Sequence, residues 1–447
     1  MALLLLFNLI SLYIIFFKRK YILFYFFAIY PILPDYFALE LGGGLPLLKA
    51  SRILILALLV SVLVYNRGKI YLPLKGIKKI KIFWPMILYF SGRIIANIFY
   101  VFNLSEAINT EFSIIFEQLI LMIVVVQLIH RKDQILQCIN GMVCGSGIVA
   151  CLSIASVIYG ENIFYHLNCV SRNMLMASTT RLGIIRAEAG FGHPVYYGVY
   201  CALIIPIAYY IYENKKNVIY LIICGLDIIA LLLTESRGSI VALIFMIIIT
   251  FLRMSKVRRQ KIIRIIGSVI IVTCILFILI PSVREQIEGI FNSIFAIVNT
   301  NIVIEDFGEN STTGLDSRLI QLTGVYWTIL NNALFGLGAS CHTRGVLKYY
   351  KEKIGWFVTS TIDNGYVGYF VQEGIIGTIG FFSLIISLIK ISNKLSEKRD
   401  KKNLNNTFFI CFFVYAIEMF SVADSSQTFW LIIILFVCYN TVDIIKE

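Results

Sequence analysis

Residues 131–159 read RKDQILQCINGMVCGSGIVACLSIASVIY. Arg131 and Lys132 open the stretch, and 135–159 then runs without a single Asp, Glu, Lys or Arg. A bilayer core about 30 Å thick is spanned by roughly 20 residues of α-helix. In lipid every backbone N–H and C=O must be satisfied within the chain, so such a run is a helix. Similar apolar runs occupy 82–102, 112–129, 218–234 and 366–389. The whole chain of 447 residues is 59% hydrophobic and 15% charged, with mean hydropathy +0.83. A soluble domain needs more charge to cover its surface. The alternating ten-residue strands of a transmembrane barrel do not appear.

The first run, 2–17, is followed by Lys18, Arg19 and Lys20. A signal peptide carries its cations ahead of the apolar region, so this run reads as a retained first helix. The net charge of +13 raises nucleic acid as a partner, but its placement excludes that. The cations cluster at 18–20, 69–81, 131–132, 215–216, 253–264 and 390–402, in short loops between apolar runs. That is the positive-inside pattern. Placing these loops in the cytoplasm puts the N-terminus outside, the C-terminus inside and about 12–13 helices between them. The count turns on the short runs 21–33 and 427–442 and on the stretch after Arg318. The expected fold is an all-α polytopic integral membrane protein with a large outer, periplasmic helical loop. Its parts are N-terminal transmembrane helices (1–159), a first long outer loop (160–192), further transmembrane helices (193–280), a large outer loop (281–362) and C-terminal transmembrane helices (363–447).

Eight of the ten cysteines fall within the helical runs, where they act as small apolar residues. Cys169 and Cys341 lie in different outer loops, which leaves a disulfide open. No C-x-x-C, H-E-x-x-H or P-loop is present, nor any internal repeat.

Outer loops should be poor in Lys and Arg. Yet the first long loop carries Arg172, Arg181 and Arg186, and the second Arg284, Arg318 and Arg344, with lysines around Tyr349. Arginine binds phosphate or carboxylate with two parallel donors. The competing reading is structural ion pairing with Glu188, Glu305, Asp306 or Asp316. A short polar turn, Glu235-Ser236-Arg237-Gly238, separates two strongly apolar runs. It is either a plain turn with Arg237 snorkelling to headgroups or part of a site. With the two loops it points to an anion site at the outer surface, suited to a lipid-linked phosphate or diphosphate.

Four segments carry a resemblance to the O-antigen polymerase and O-antigen ligase superfamily. They are Arg186-Ala-Glu-Ala-Gly-Phe-Gly-His193-Pro194 with Tyr196, Tyr197 and Gly198; Thr234-Glu235-Ser236-Arg237-Gly238-Ser239; Ser317-Arg318 with Tyr326-Trp327 and Leu334-Phe335-Gly336-Leu337-Gly338; and Asp363-Asn364-Gly365-Tyr366 with Gln372-Glu373-Gly374. The resemblance covers about 181–382. Paired R-x10-G motifs, which also describe the polymerases, fit Arg181 to Gly192 and Arg344 to Gly355. Ligases usually carry His-Asn where this chain has Asp363-Asn364, which favours a polymerase.

The resemblance implies a glycosyltransferase that joins polyprenyl-diphosphate-linked oligosaccharide repeat units into O-antigen or a related surface polysaccharide, at the outer face of the inner membrane. Donor and acceptor would both be lipid-linked, a chain-length regulator would be a possible partner, and no cofactor or nucleic acid is implied. The alternatives are an O-antigen ligase transferring glycan to lipid A core, or a lipid-linked oligosaccharide flippase or transporter. A transporter should carry ionisable residues along a midplane path; Arg93, Glu117, Asp227 and Glu418 lie inside apolar runs without a repeated pattern.

Departure of a diphosphate needs cations, and the attacking hydroxyl needs a base. Arginines supply the first without a metal, and no D-x-D constellation is present, so a metal-independent reaction is expected. Arg181, Arg186, Arg237 and Arg318 are the expected diphosphate ligands, with Arg344 for diphosphate or glycan. His193 and Asp363 compete as base. Against this, His193 reads as a structural residue ahead of Pro194, and Asp363 as a simple helix cap. Glu188 and Glu235 would orient the arginines. Tyr196, Tyr197, Tyr326, Trp327 and Tyr366 would stack on sugars or form the interfacial belt. Gly192, Gly336, Gly338 and Gly374 are expected in tight turns or close packing.

Overall fold

A computed structural model gives the architecture. It describes residues 1–42, 45–69, 74–99, 104–171, 180–181, 184–254, 259–260, 314–338, 341, 344–352, 354–358, 362–397, 404–422 and 426–442. The apolar runs are helices, as bilayer physics requires. In chain order the helices are α1 (Ala2–Phe17), α2 (Ile22–Ile29), α3 (Ala50–Tyr65), α4 (Leu74–Lys79), α5 (Phe83–Phe99), α6 (Leu104–Ser113), α7 (Leu121–Leu128), α8 (Lys132–Tyr159), α9 (Pro194–Lys215), α10 (Val218–Leu233), α11 (Arg237–Arg253), α12 (Gly314–Asn332), α13 (Gly365–Ser396), α14 (Leu404–Glu418) and α15 (Ser426–Thr441). A π-helical stretch, Ile114–Ile120, joins α6 to α7. Among the described residues, sheet is confined to three two-stranded antiparallel ribbons: β1 (Ala38–Leu39) with β2 (Leu48–Lys49), β3 (Thr180–Arg181) with β4 (Ile184–Ile185), and β5 (Lys348–Lys351) with β6 (Gly355–Val358).

Among the described residues, four helices are long and apolar enough to cross a membrane: 108–128 across the π-helical stretch, α8, α9 and α13. A fifth is added if the apolar pair 2–17 and 19–32, bent by 106° at Lys18, is one span. α3, α10, α14 and α15 are apolar but shorter. The count of about 12–13 is therefore not reached among the described residues. Several runs stop at 16 or 17 residues, as in α3 and α10, and the run 262–280 lies outside the described residues. The protein is an all-α polytopic membrane protein. Its outward-facing positions are apolar, as on α10 (Val218, Ile219, Ile222) and α11 (Ile244, Ile247, Ile248). Such exposed stripes are what a lipid-facing bundle presents.

A single core unites the N-terminal helices with α9 to α11 and α13 to α15. α13 packs most extensively on α5, and α2 on α8. A smaller core (Leu337, Cys341, Leu347, Tyr349, Ile362, Val367, Val371) ties the segment after α12 to the start of α13. Cys169 and Cys341 are both free thiols, so no disulfide joins the outer loops.

α13 is broken at Gly374 (φ 64°, ψ −160°). The break opens backbone groups that lipid cannot satisfy. The turn after α12 closes it. The N–H groups of Leu337 and Gly338 donate to the carbonyls of Val371 (2.7 Å) and Gln372 (3.0 Å), and those of Ile375 and Ile376 donate to Ala333 (2.9 Å) and Leu334 (3.2 Å). A Cβ on Gly374 would lie 2.4 Å from the Leu334 oxygen, and one on Gly336 2.5 Å from the Gly374 nitrogen. This contact therefore admits only glycine at either position.

Charges inside apolar runs are partnered. Arg93 Nε lies 2.7 Å from Glu373 Oε1 and its Nη1 donates to Tyr89 (2.5 Å). Arg52 meets Glu117 at 2.6 Å, Ser113 at 2.8 Å and the Leu47 carbonyl at 2.7 Å. Ser146 donates to Asp227 at 2.9 Å.

Breaking a buried pair leaves a bare charge and costs about 3–5 kcal/mol, whereas replacing both partners by apolar residues costs far less. Arg93→Met is accordingly expected to destabilise the detergent-purified protein strongly, and Arg93→Met with Glu373→Leu to recover most of the loss. Denaturant unfolding of the two variants checks this; equal losses would sink the pairing.

Candidate functional site

The segment before α9 reaches the bundle through its backbone. Ala187 N–H donates to the Leu233 carbonyl (2.9 Å), and Arg186 Nε donates to the Thr234 carbonyl (2.8 Å). Arg186 thus covers carbonyls at the C-terminal end of α10, a position that favours a cation. Glu188 is buried. It accepts from Asn162 Nδ2 (2.8 Å) and from the Tyr165 hydroxyl. Burial and Glu188 together push the Tyr165 phenol above its ordinary range. Glu188 is thus a loop anchor, where arginine orientation had been expected.

His193 caps α9, its Nδ1 accepting from Val195 N–H (3.2 Å) with Pro194 in the first turn. Burial and then the positive charge of Arg186 lower its pKa below the usual imidazole range, while Asp363 opposes the shift. His193 is therefore neutral at pH 7, with Nδ1 occupied. Its ring sits edge-on to Tyr196, centroids 5.8 Å apart.

The turn after α10 is tightly built. Glu235 takes a left-handed conformation (φ 49°). Ser236 caps α11, and its N–H donates to Thr234 Oγ1 (3.2 Å). This leaves Arg237 as the first residue of α11, half-buried. Ser239 Oγ lies 3.1 Å from Ser236 Oγ and 3.4 Å from Glu418 Oε2. A Cβ on Gly238 would lie 1.7 Å from Ser421 Oγ, so the turn is pressed onto the end of α14.

The end of α14 in turn holds the start of α13: Gly365 N–H donates to the Met419 carbonyl (2.8 Å). Asn364, not Asp363, caps α13, accepting from Tyr366 N–H (3.0 Å) and Val367 N–H (3.2 Å). The capping reading of Asp363 is thereby replaced. Its exposed carboxylate is gripped by Gln321 of α12: Gln321 Nε2 donates to Asp363 Oδ2 (2.9 Å) and Asp363 N–H donates to Gln321 Oε1 (3.0 Å). Gln321 had no signal in the sequence beyond its place three residues after Arg318.

Three segments thus meet at one rim: the Arg186–His193 loop, the 235–239 turn and the start of α13. Arg344 lies beside the third motif, Nη2 donating to the Leu337 carbonyl (3.1 Å). Tyr197 is buried and Tyr366 donates to the Ala416 carbonyl (2.6 Å) while stacking on Phe382, so both are packing residues. Tyr326 is exposed and stacks on Trp356; Trp327 donates to the Val346 carbonyl (3.0 Å). The side chains of Arg181, Asp316 and Arg318, and residues Arg172, Arg284, Glu305 and Asp306, lie outside the described residues.

These features define a helical membrane protein with an arginine–histidine–carboxylate rim. Residues 220–382 match the family described as O-Antigen ligase. The match bears out the resemblance to the O-antigen ligase and polymerase superfamily, and it spans the second, third and fourth motifs. No curated protein matches the chain.

Burial first and Arg186 second lower the His193 pKa while Asp363 raises it, so Arg186→Gln should raise the His193 pKa and Asp363→Asn should lower it. Diethyl pyrocarbonate modifies only neutral imidazole. The pH midpoint of His193 modification, read by peptide mapping, is expected to rise in the first variant and fall in the second; an unmoved midpoint in both would separate the three groups.

Proposed function

We propose that the protein is a polymerase of polyprenyl-diphosphate-linked oligosaccharide repeat units, acting at the outer, periplasmic face of the inner membrane. The observation that carries this is the approach of the Arg186–His193 loop to the turn that holds Arg237, with Asp363 near enough to His193 to act on its charge. A hydroxyl of the incoming lipid-linked unit attacks the anomeric carbon of the growing chain. The bond from that carbon to the diphosphate oxygen breaks, and the diphosphate leaves with the bonding electrons. Arg186 and Arg237, joined by Arg181, Arg318 and Arg344, neutralise that departing charge. Asp363, exposed and oriented by Gln321, accepts the hydroxyl proton. Neutral His193 and Glu235 complete the polar wall beside it, and Tyr196 and Tyr326 offer aromatic faces to sugar rings.

The family match carries the word ligase, which favours a second reading: transfer of finished glycan to lipid A core. Asp363 in place of the His usual in ligases favours the polymerase.

The glycan length profile of a deletion strain, complemented with wild type, Arg186→Ala or Asp363→Asn, separates the readings. Loss of one donor to a developing negative charge typically costs 10²–10³-fold in rate, and loss of a general base about 10²–10⁴-fold, so both variants should collapse the ladder towards core plus one repeat unit. Long chains accumulating on the polyprenyl carrier would mark a ligase, and single units stranded on the cytoplasmic face a flippase.

A further inference from the structure

α12 belongs to the loop between transmembrane segments, yet its surroundings are not those of a water-exposed loop. Gln321 touches Asp363 at the start of α13, and from twelve residues later the turn after α12 touches the break at Gly374. α12 therefore descends alongside α13 in the same direction. From Gly365 to Gly374 the helix drops roughly 14 Å at 1.5 Å per residue. The start of α13 is the end remote from Lys390 and Lys394, so this descent runs from the rim inwards. About half of a 30 Å hydrocarbon core is 15 Å.

The sequence of α12 and its turn fits such a place. From Leu319 to Thr343 there is no Asp, Glu, Lys or Arg, and Arg318 and Arg344 bracket the stretch. The polar side chains inside it fold back on their own helix: Thr323 donates to Ile320, Thr328 to Gly324 and Asn331 to Trp327. That is how polar groups are satisfied where water is lacking. Leu319, Leu322, Tyr326, Ile329, Leu330 and Leu334 are each more than half exposed and follow helical spacing along one face. This stripe runs on, through the Leu334–Ile376 backbone bond, beside the exposed stripe Ile375, Ile379, Phe382 and Ile386 of α13. Midway along the stripe Tyr326 stacks on Trp356, which also meets Tyr350, and Lys348 lies over Trp327; these are amphipathic and cationic residues of the kind that snorkel towards a headgroup layer.

We infer that residues 319–338 form a re-entrant helix and turn set into the outer half of the bilayer, whose apolar stripe is covered by lipid hydrocarbon. The opposite face of the same helix grips Asp363 through Gln321. One element would then place the rim site at the edge of the lipid phase, where a carrier tail can lie in the membrane while its head meets the arginines. The lipid contact itself does not depend on which glycan is transferred.

The test is photo-crosslinking of the full chain in native membranes, with p-benzoylphenylalanine replacing Tyr326 or Leu330, and Ile379 of α13 as the lipid-facing reference. Phospholipid adducts, read by mass spectrometry, are expected at Tyr326 and Leu330 within about threefold of the yield at Ile379. A yield at Leu330 below a tenth of the reference overturns the proposal, as do crosslinks mainly to a second copy or to another part of the chain. So does the absence of lipid adducts at all three positions, since the α13 stripe would then not face lipid either.

Discussion

Every backbone group inside a bilayer must find a partner in the protein, and the break at Gly374 is where this chain meets that constraint most sharply. An unsatisfied amide in hydrocarbon costs several kcal/mol. Here two donors and two acceptors freed by the break are taken up by the turn 333–338. That exchange decides where α12 ends, why positions 336 and 374 lack a side chain, and how the small outer core of Leu337, Leu347 and Val371 is seated. It also places Glu373 directly above the break, paired with Arg93 of α5. α5 and α13 are thereby locked together by one ion pair in addition to their apolar contact.

From that fixed point the rim assembles by backbone contacts. α14 receives Gly365 through Met419, the 235–239 turn presses on Ser421, and the Arg186 loop lies across the end of α10. Of the charged groups assigned to chemistry, these contacts use only Arg186, whose Nε donates to the Thr234 carbonyl. Arg237 opens α11 just after its cap Ser236, and Asp363 lies just before Asn364, the cap of α13. The capping work is done by the adjacent residue, which leaves the charged side chain for other contacts. Glu188 shows the reverse: a carboxylate with the right charge and position that is consumed in anchoring its loop to Asn162 and Tyr165.

Electrostatics at the rim follow from this assembly. A histidine beside an arginine and partly withdrawn from water loses its proton more readily, and a carboxylate nearby restores part of the loss. The bulk of the membrane-embedded charges, by contrast, are spent on structure: Arg52 with Glu117 and Arg93 with Glu373 bind helices distant in sequence.

Composition and run length alone determined that this is a helical membrane protein, because no other use of so many uncharged runs satisfies the backbone in lipid. The resemblance carried by the second, third and fourth motifs was equally legible, since they are local strings within the matched residues 220–382. The helix count was not, because short runs such as α3 and α10, and bends such as that at Lys18, depend on what packs against them. Nor could the sequence give Gln321 as the holder of Asp363, Asn364 as the true cap, or Glu373 as the partner of Arg93, whose residues lie 42, 1 and 280 positions apart. Only the tertiary structure decides such pairings: a side chain's role follows from which neighbour reaches it first, and that is set by helix packing.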